Sequence, residues 1–227
     1  MFFDPLMLLV ALPGILLGVF AQIKLTGTYN KYVQIPTNSG ITGAEAAREI
    51  LDRAGMDEMA VEEVAGHLTD HYDPIRRALF LSSENYRGRS LAAVGMAAHE
   101  AGHALQHQAG YLLLRLRMYL VPVTNFATQA SFWLVILAQV MHIAGLAFLG
   151  LTVYGVITLF QLVTLPVEFD ASRRAKQQLL RLGIVCEPEA KGISKVLNAA
   201  ALTYVAALVT AALHLLYYFL RARNSRD

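Results

Sequence analysis

The sequence predicts an α+β domain combined with four transmembrane α-helices, and two observations predict it. The first is the segregation of charge. Of 227 residues, 36 are Asp, Glu, Lys or Arg, yet residues 5–23, 118–167 and 199–220 carry none. A helix that crosses a bilayer needs about 20 apolar residues. Runs of 19, 50 and 22 residues therefore hold one span, two spans joined by a tight turn, and one further span. The second observation lies between the runs. There the charge density rises to about a quarter of residues, the ordinary value for a soluble domain, and helix-capping signals are followed by short β-type stretches.

The same arithmetic excludes a wholly soluble globule and a disordered chain. Cys186 is the single cysteine, so no internal disulfide forms, which suits a reducing compartment. A net charge of +2 without a concentrated basic field leaves no nucleic-acid partner. The first partner implied is the lipid bilayer.

The elements follow in order. Residues 5–23 form transmembrane helix 1, with Pro13-Gly14 at its middle. No basic residue precedes this run and no small-x-small cleavage site follows it, so it reads as a retained anchor. Residues 24–117 form the first polar segment. Thr42-Gly-Ala-Glu45 is a capping-box pattern opening a helix over 44–53, which Gly55 closes. Residues 61–67 read as a strand, 69–74 as a turn-rich stretch, and 77–82 as a second strand. Ser90 caps a long Ala-rich helix from Leu91 to at least His107. Transmembrane helices 2 and 3 occupy 119–140 and 143–165, turning near 139–145. Residues 166–198 form a second polar segment that opens as an amphipathic helix. Transmembrane helix 4 covers 199–220, followed by a short basic tail.

Four spans put both polar segments on one side of the membrane. Lys24, Lys31, Arg115, Arg117, Arg173, Arg174, Lys176, Lys191 and Lys195 lie close to the spans on that side. The positive-inside rule then predicts a multi-pass protein of the bacterial cytoplasmic (inner) membrane, with both segments facing the cytoplasm. Arg221, Arg223 and Arg226 in the tail pull the other way.

The Ala-rich helix contains His99-Glu100-Ala-Gly-His103. Histidines four apart project from one helical face about one turn apart, the spacing two ligands of one zinc ion require. Glu100 is rotated about 100° from His99, so it can serve as a general base for a water without binding the ion. The competing reading is two hydrogen-bonded core histidines. Two ligands leave a third to be found. Glu168, just after the third span, is one candidate and Asp170 its rival, and spacing leaves the choice between them open. A solvated carboxylate at a helix N-terminus is the plain alternative for Glu168.

Other polar residues carry weaker signals. His107 lies one further turn along the face of His99 and His103, where a supporting or surface role fits best. His71 or Tyr72 can stabilise a developing oxyanion, against the plainer reading of a loop pinned by Asp73-Pro74. The strand at 77–82 can serve as an edge to which an extended peptide adds, or as a core strand. Arg173 and Arg174 mark the membrane flank. His142 and His214 read as neutral histidines within or beside the spans.

Beyond these residue-level signals, the chain resembles a known family. His99-Glu-Ala-Gly-His103-Ala-Leu-Gln-His107, Asp70-His71-Tyr72-Asp73-Pro74, the stretch 81–94 and Leu165-Pro166-Val167-Glu168-Phe169 are similar to the bacterial neutral zinc metallopeptidases of the membrane, the YugP-like proteins. The resemblance covers nearly the whole chain. It implies a zincin-like catalytic domain and one Zn2+ per chain held by His99, His103 and Glu168, with Glu100 as base. A more distant similarity to the HtpX and CAAX-protease group, gluzincins with a glutamate ligand after a membrane hairpin, implies the same ligand set. In that group an aspartate four residues after the glutamate supports a zinc-binding histidine. Here Ser172 stands at that position, so Asp170, Asp73 or Asp70 is expected to supply the support.

The leading expectation is therefore a zinc-dependent, membrane-anchored endopeptidase acting through a metal-activated water on peptides or membrane proteins. The alternative is a non-catalytic membrane scaffold or assembly factor with a structural zinc site, which needs ligands but no Glu100. A transporter or channel is disfavoured because the spans carry no charged residue.

Overall fold

The computed structural model describes residues 5–141 and 146–224, without the side chains of 5, 132, 134–136, 138–141, 146–147 and 224. His142 and most of the expected turn at 139–145 lie outside the described residues. The elements in chain order are α1 (Pro5–Tyr32), α2 (Gly43–Arg53), β1 (Ala60–Val64), β2 (His71–Asp73), β3 (Ala78–Ser82), α3 (Ser83–Arg87), α4 (Leu91–Gln108), α5 (Leu112–Met141), α6 (Leu146–Arg181) and α7 (Glu187–Asn224). They divide into two compact units. One takes in residues up to Gln22, Leu113–Pro166 and those from Leu202 on; the other comprises Ile23–Leu112 and Val167–Ala201.

The first unit is helical. Among the described residues, three helices are long and apolar enough to cross a membrane: Leu6–Tyr32, Phe148–Arg181 and Glu187–Arg223. The sequence predicts four. The expected span at 119–140 falls on α5, which is helical for 30 residues. Its described part carries Thr124, Asn125, Thr128, Gln129 and Ser131, while its most apolar part, around 134–140, includes most of the undescribed side chains. Within this unit α1 and α7 approach closely. A Cβ on Gly14 would sit 2.7 Å from Thr210 Oγ1, so glycine is required for the contact. His214 is satisfied there, with Nδ1 2.8 Å from the Thr210 carbonyl and its ring stacked 4.9 Å from Tyr154.

The second unit is α+β, with a three-stranded mixed sheet in the order β1-β3-β2. β1 runs parallel to β3 and β2 antiparallel to it, pairing His71 with Phe80 and Asp73 with Ala78. β2 lies in the stretch the sequence presents as turn-rich. It is only three residues long, and its polar composition masks it. The hairpin forms because Asp73 Oδ1 accepts the N–H groups of Ile75 (2.8 Å) and Arg76 (3.0 Å), and this pairing holds the Asp73 carboxyl below its usual range. β3 is central and buried along its length, so of the two readings of 77–82 the core strand holds and the peptide-accepting edge does not.

Helix boundaries also differ from the sequence reading. α1 continues nine residues past Ile23. α6 runs unbroken through Pro166, so Glu168 sits in a helix interior and not at a new N-terminus. The hydrogen bond that Pro166 cannot donate costs little where the helix is held by its neighbours. α2 opens on the reciprocal Thr42–Glu45 capping box, and α4 opens with Ser90 Oγ accepting Ala93 N–H. The core gathers α2, α4, β3, the end of α6 and the start of α7. Ala92, Val94, Ala97, Ala98, Ala101, Leu79, Leu179, Ile193 and Val196 are all fully enclosed. α4 is buried on nearly every side, which its small apolar residues permit.

Candidate metal centre

α4 presents His99 and His103 on one face, with ring centroids 4.8 Å apart. α6 crosses that face within contact distance because residue 102 is glycine. A Cβ there would lie 2.5 Å from the carbonyl oxygen of Ala171. This approach brings Glu168 to the histidines. Its Oε2 lies 3.2 Å from His99 Nε2 and 3.7 Å from His103 Nε2. One ligand atom from each of the three side chains lies within 4.8 Å of the others, and all three residues are buried.

The other nitrogen of each imidazole is occupied. Ser172 Oγ lies 3.1 Å from His99 Nδ1, and Gln106 Oε1 lies 3.0 Å from His103 Nδ1. Both Nε2 atoms therefore face one buried carboxylate while both Nδ1 atoms are held by protein groups. Two imidazole nitrogens and a carboxylate oxygen, with no cationic side chain among them, make a donor set that fits Zn2+. Holding the outer nitrogens is how proteins orient such ligands. Glu100, beside His99 in the chain, is buried as well.

Asp170 is next to this group but turned away from it. Its carboxylate accepts from Gln106 Nε2 (2.9 Å) and Arg174 Nε (2.6 Å), and it pairs with Arg173. Asp70 accepts from Ser82 N (2.9 Å) and Asn85 Nδ2 (2.7 Å), and burial raises its carboxyl above the usual range. The described contacts of the two imidazoles include neither Asp70, Asp73 nor Asp170. Contrary to expectation, Ser172 itself and Gln106 make them. Gln106 went unread in the sequence, although its spacing of three from His103 puts it on the same helical face.

Tyr72 and His107 meet. The phenol oxygen lies 2.7 Å from His107 Nδ1, and burial pushes the phenol up from its ordinary pKa, so it stays protonated at neutral pH. These two residues, with Met56, Met59, Arg77 and Gln108, line a cavity of about 370 Å³. His71 faces solvent, its ring stacked 5.0 Å from Phe80 and its Nδ1 2.9 Å from the Thr69 carbonyl.

Residues 7–223 match the family described as "Putative neutral zinc metallopeptidase". The chain is 46% identical over 211 residues to the "Putative membrane protease YugP" of Bacillus subtilis (strain 168), covering 93% of this chain and 94% of that protein. No solved structure matches.

Proposed function

The chain belongs to the neutral zinc metallopeptidase family and is a zinc-dependent peptidase; from that premise we propose how its residues divide the work. His99, His103 and Glu168 hold the ion, and Glu100 is the general base. The observation that carries this reading is the buried convergence of three ligand atoms within 4.8 Å. Zinc held there would supply Lewis-acid polarisation of the scissile carbonyl and acidification of the attacking water. Glu100 accepts the proton of that water and delivers it to the departing amine nitrogen. A purely structural zinc site would need the ligands but not this buried carboxylate.

Tyr72 donates its phenol hydrogen to the carbonyl oxygen as negative charge develops there. His107 holds the phenol oxygen in place through the 2.7 Å contact. The peptide extends beside β2, the outer strand that carries Tyr72, where backbone pairing gives affinity with little sequence preference. Substrates are peptides or exposed segments of membrane proteins.

Parity supports a fourth span beside the three helices long and apolar enough to cross. The metal ligands come from before and after the stretch 104–167, yet Glu168 lies 3.2 Å from His99. Both therefore stand on one side of the membrane, and the chain between them crosses an even number of times. α6 supplies one crossing, so α5 supplies the other. The basic residues flanking the spans orient that side toward the cytoplasm of the bacterial inner membrane.

The test is metal content and peptide hydrolysis of detergent-purified protein. Wild type is expected to carry close to one zinc per chain. Glu168→Gln loses it. Asp170→Asn and Glu100→Gln retain it, and Glu100→Gln loses about 10²- to 10⁴-fold in kcat. A metal-free wild type after chelator-free purification would sink the assignment of all three ligands.

A further inference from the structure

We propose that Gln106, anchored by Asp170, is a positioning residue that fixes the hydrogen of His103 on Nδ1 and so commits Nε2 to the metal. The proposal rests on the zinc-ligand reading above and adds to it the residue that prepares one ligand before the ion arrives.

In a primary amide the nitrogen only donates and the oxygen only accepts. Gln106 is fully buried. Its Nε2 lies 2.8 Å from the Val167 carbonyl oxygen and 2.9 Å from Asp170 Oδ2. Both neighbours are acceptors. Asp170 Oδ2 also accepts from Arg174 Nε at 2.6 Å, and Arg173 pairs with its other oxygen, so the side chain faces donors on every side. Turning the amide over would set its oxygen against two acceptors in a buried site, so the orientation has one solution. Gln106 Oε1 must then face His103 Nδ1 at 3.0 Å, and that nitrogen must carry hydrogen. The lone pair of His103 is left on Nε2, the atom turned toward Glu168. The hydrogen bond at one imidazole nitrogen thus selects the role of the other.

His99 is treated differently. Its Nδ1 meets the Ser172 hydroxyl at 3.1 Å, and a hydroxyl can donate or accept. Ser172 therefore orients the ring of His99 without dictating its tautomer. One ligand is committed in advance and the other adapts.

The experiment uses the full-length protein in detergent. Zinc affinity is read by chelator competition and ligand geometry by the visible spectrum of the Co2+-substituted protein. The histidine ¹⁵N shifts of metal-free protein are read at alkaline pH, where imidazoles are neutral. Wild type is expected to show His103 with hydrogen on Nδ1. Gln106→Met, similar in shape but without an acceptor for that hydrogen, is expected to lose the tautomer preference, alter the Co2+ spectrum and bind zinc about 10- to 100-fold more weakly. Asp170→Asn, whose side-chain oxygen still accepts from Gln106, should keep the wild-type tautomer and Co2+ spectrum. Unchanged zinc affinity and Co2+ spectrum in Gln106→Met would overturn the proposal. So would a wild-type His103 carrying its hydrogen on Nε2, whether or not the variant folds. A wild type that takes up neither Zn2+ nor Co2+ would sink the ligand reading instead, while the ¹⁵N shifts would still decide the tautomer.

Discussion

Tyr72 and His107 are 35 residues apart in the chain, yet a 2.7 Å hydrogen bond joins them. The contact places a protonated phenol on the outer strand β2, with its partner one helical turn beyond His103. Burial raises the phenol's pKa, so the phenol keeps its hydrogen across the neutral range. Removing only the hydroxyl isolates its role. Tyr72→Phe is expected to keep its zinc and to lower kcat by about 10²-fold with KM nearly unchanged, as loss of one oxyanion donor does elsewhere. Steady-state hydrolysis of a peptide substrate measures this, and an undiminished kcat would remove Tyr72 from the reaction. Ser172 and Gln106 carry a second lesson at this scale. The support expected from an aspartate comes here from a hydroxyl and an amide, both neutral groups.

At the scale of elements, the site depends on how closely α4 and α6 approach. Gly102 decides it, because a Cβ there would meet the Ala171 carbonyl oxygen at 2.5 Å. Backbone cannot give way as the end of a flexible side chain can. Gly102→Val is expected to push α6 from α4, withdraw Glu168 from the histidines and lose bound zinc. Overpacking of this kind costs about 1–3 kcal/mol of stability. Metal analysis and thermal unfolding of the purified variant check both effects, and full zinc content would show that the close approach is dispensable. The unbroken α6 matters equally. Because the helix passes through Pro166 without a break, Glu168 and Ser172, four residues apart, lie on the one face that meets α4.

At the scale of the whole molecule, the ligand contact constrains topology. Residues 99 and 168 share a side, so the chain between them crosses the membrane twice or not at all. With four crossings, reporters placed in the loop at 55–58 and in the loop at 182–186 are expected on the same side, the cytoplasmic one. The N- and C-termini are expected on the other. Accessibility of single introduced cysteines to a membrane-impermeant thiol reagent, in a Cys186→Ser background, reads this directly. Opposite labelling of the two loops would mean an odd number of crossings between them and would overturn the shared side that the His99–Glu168 contact requires.

The features legible in the amino-acid sequence are local or periodic. The Thr42 capping box, the Ser90 cap, the Ala-rich helix and the histidines at a spacing of four are all decided within one or two helical turns. Uncharged runs declare a preference for lipid without reference to any partner. Tertiary structure decided whatever depends on distant chain. β2 is too short and polar to declare itself, and it exists because β3 pairs with it. β3 is central because β1 pairs parallel to it on one side while its hairpin partner β2 takes the other. The meeting of Glu168 with His99 spans 69 residues, and that of Ser172 with the same ring spans 73. Spacing could not choose between Glu168 and Asp170, two residues apart on one helix. That step rotates a side chain by about 200° around the axis, so only one faces α4 as a ligand, and only the packing of the two helices reveals which.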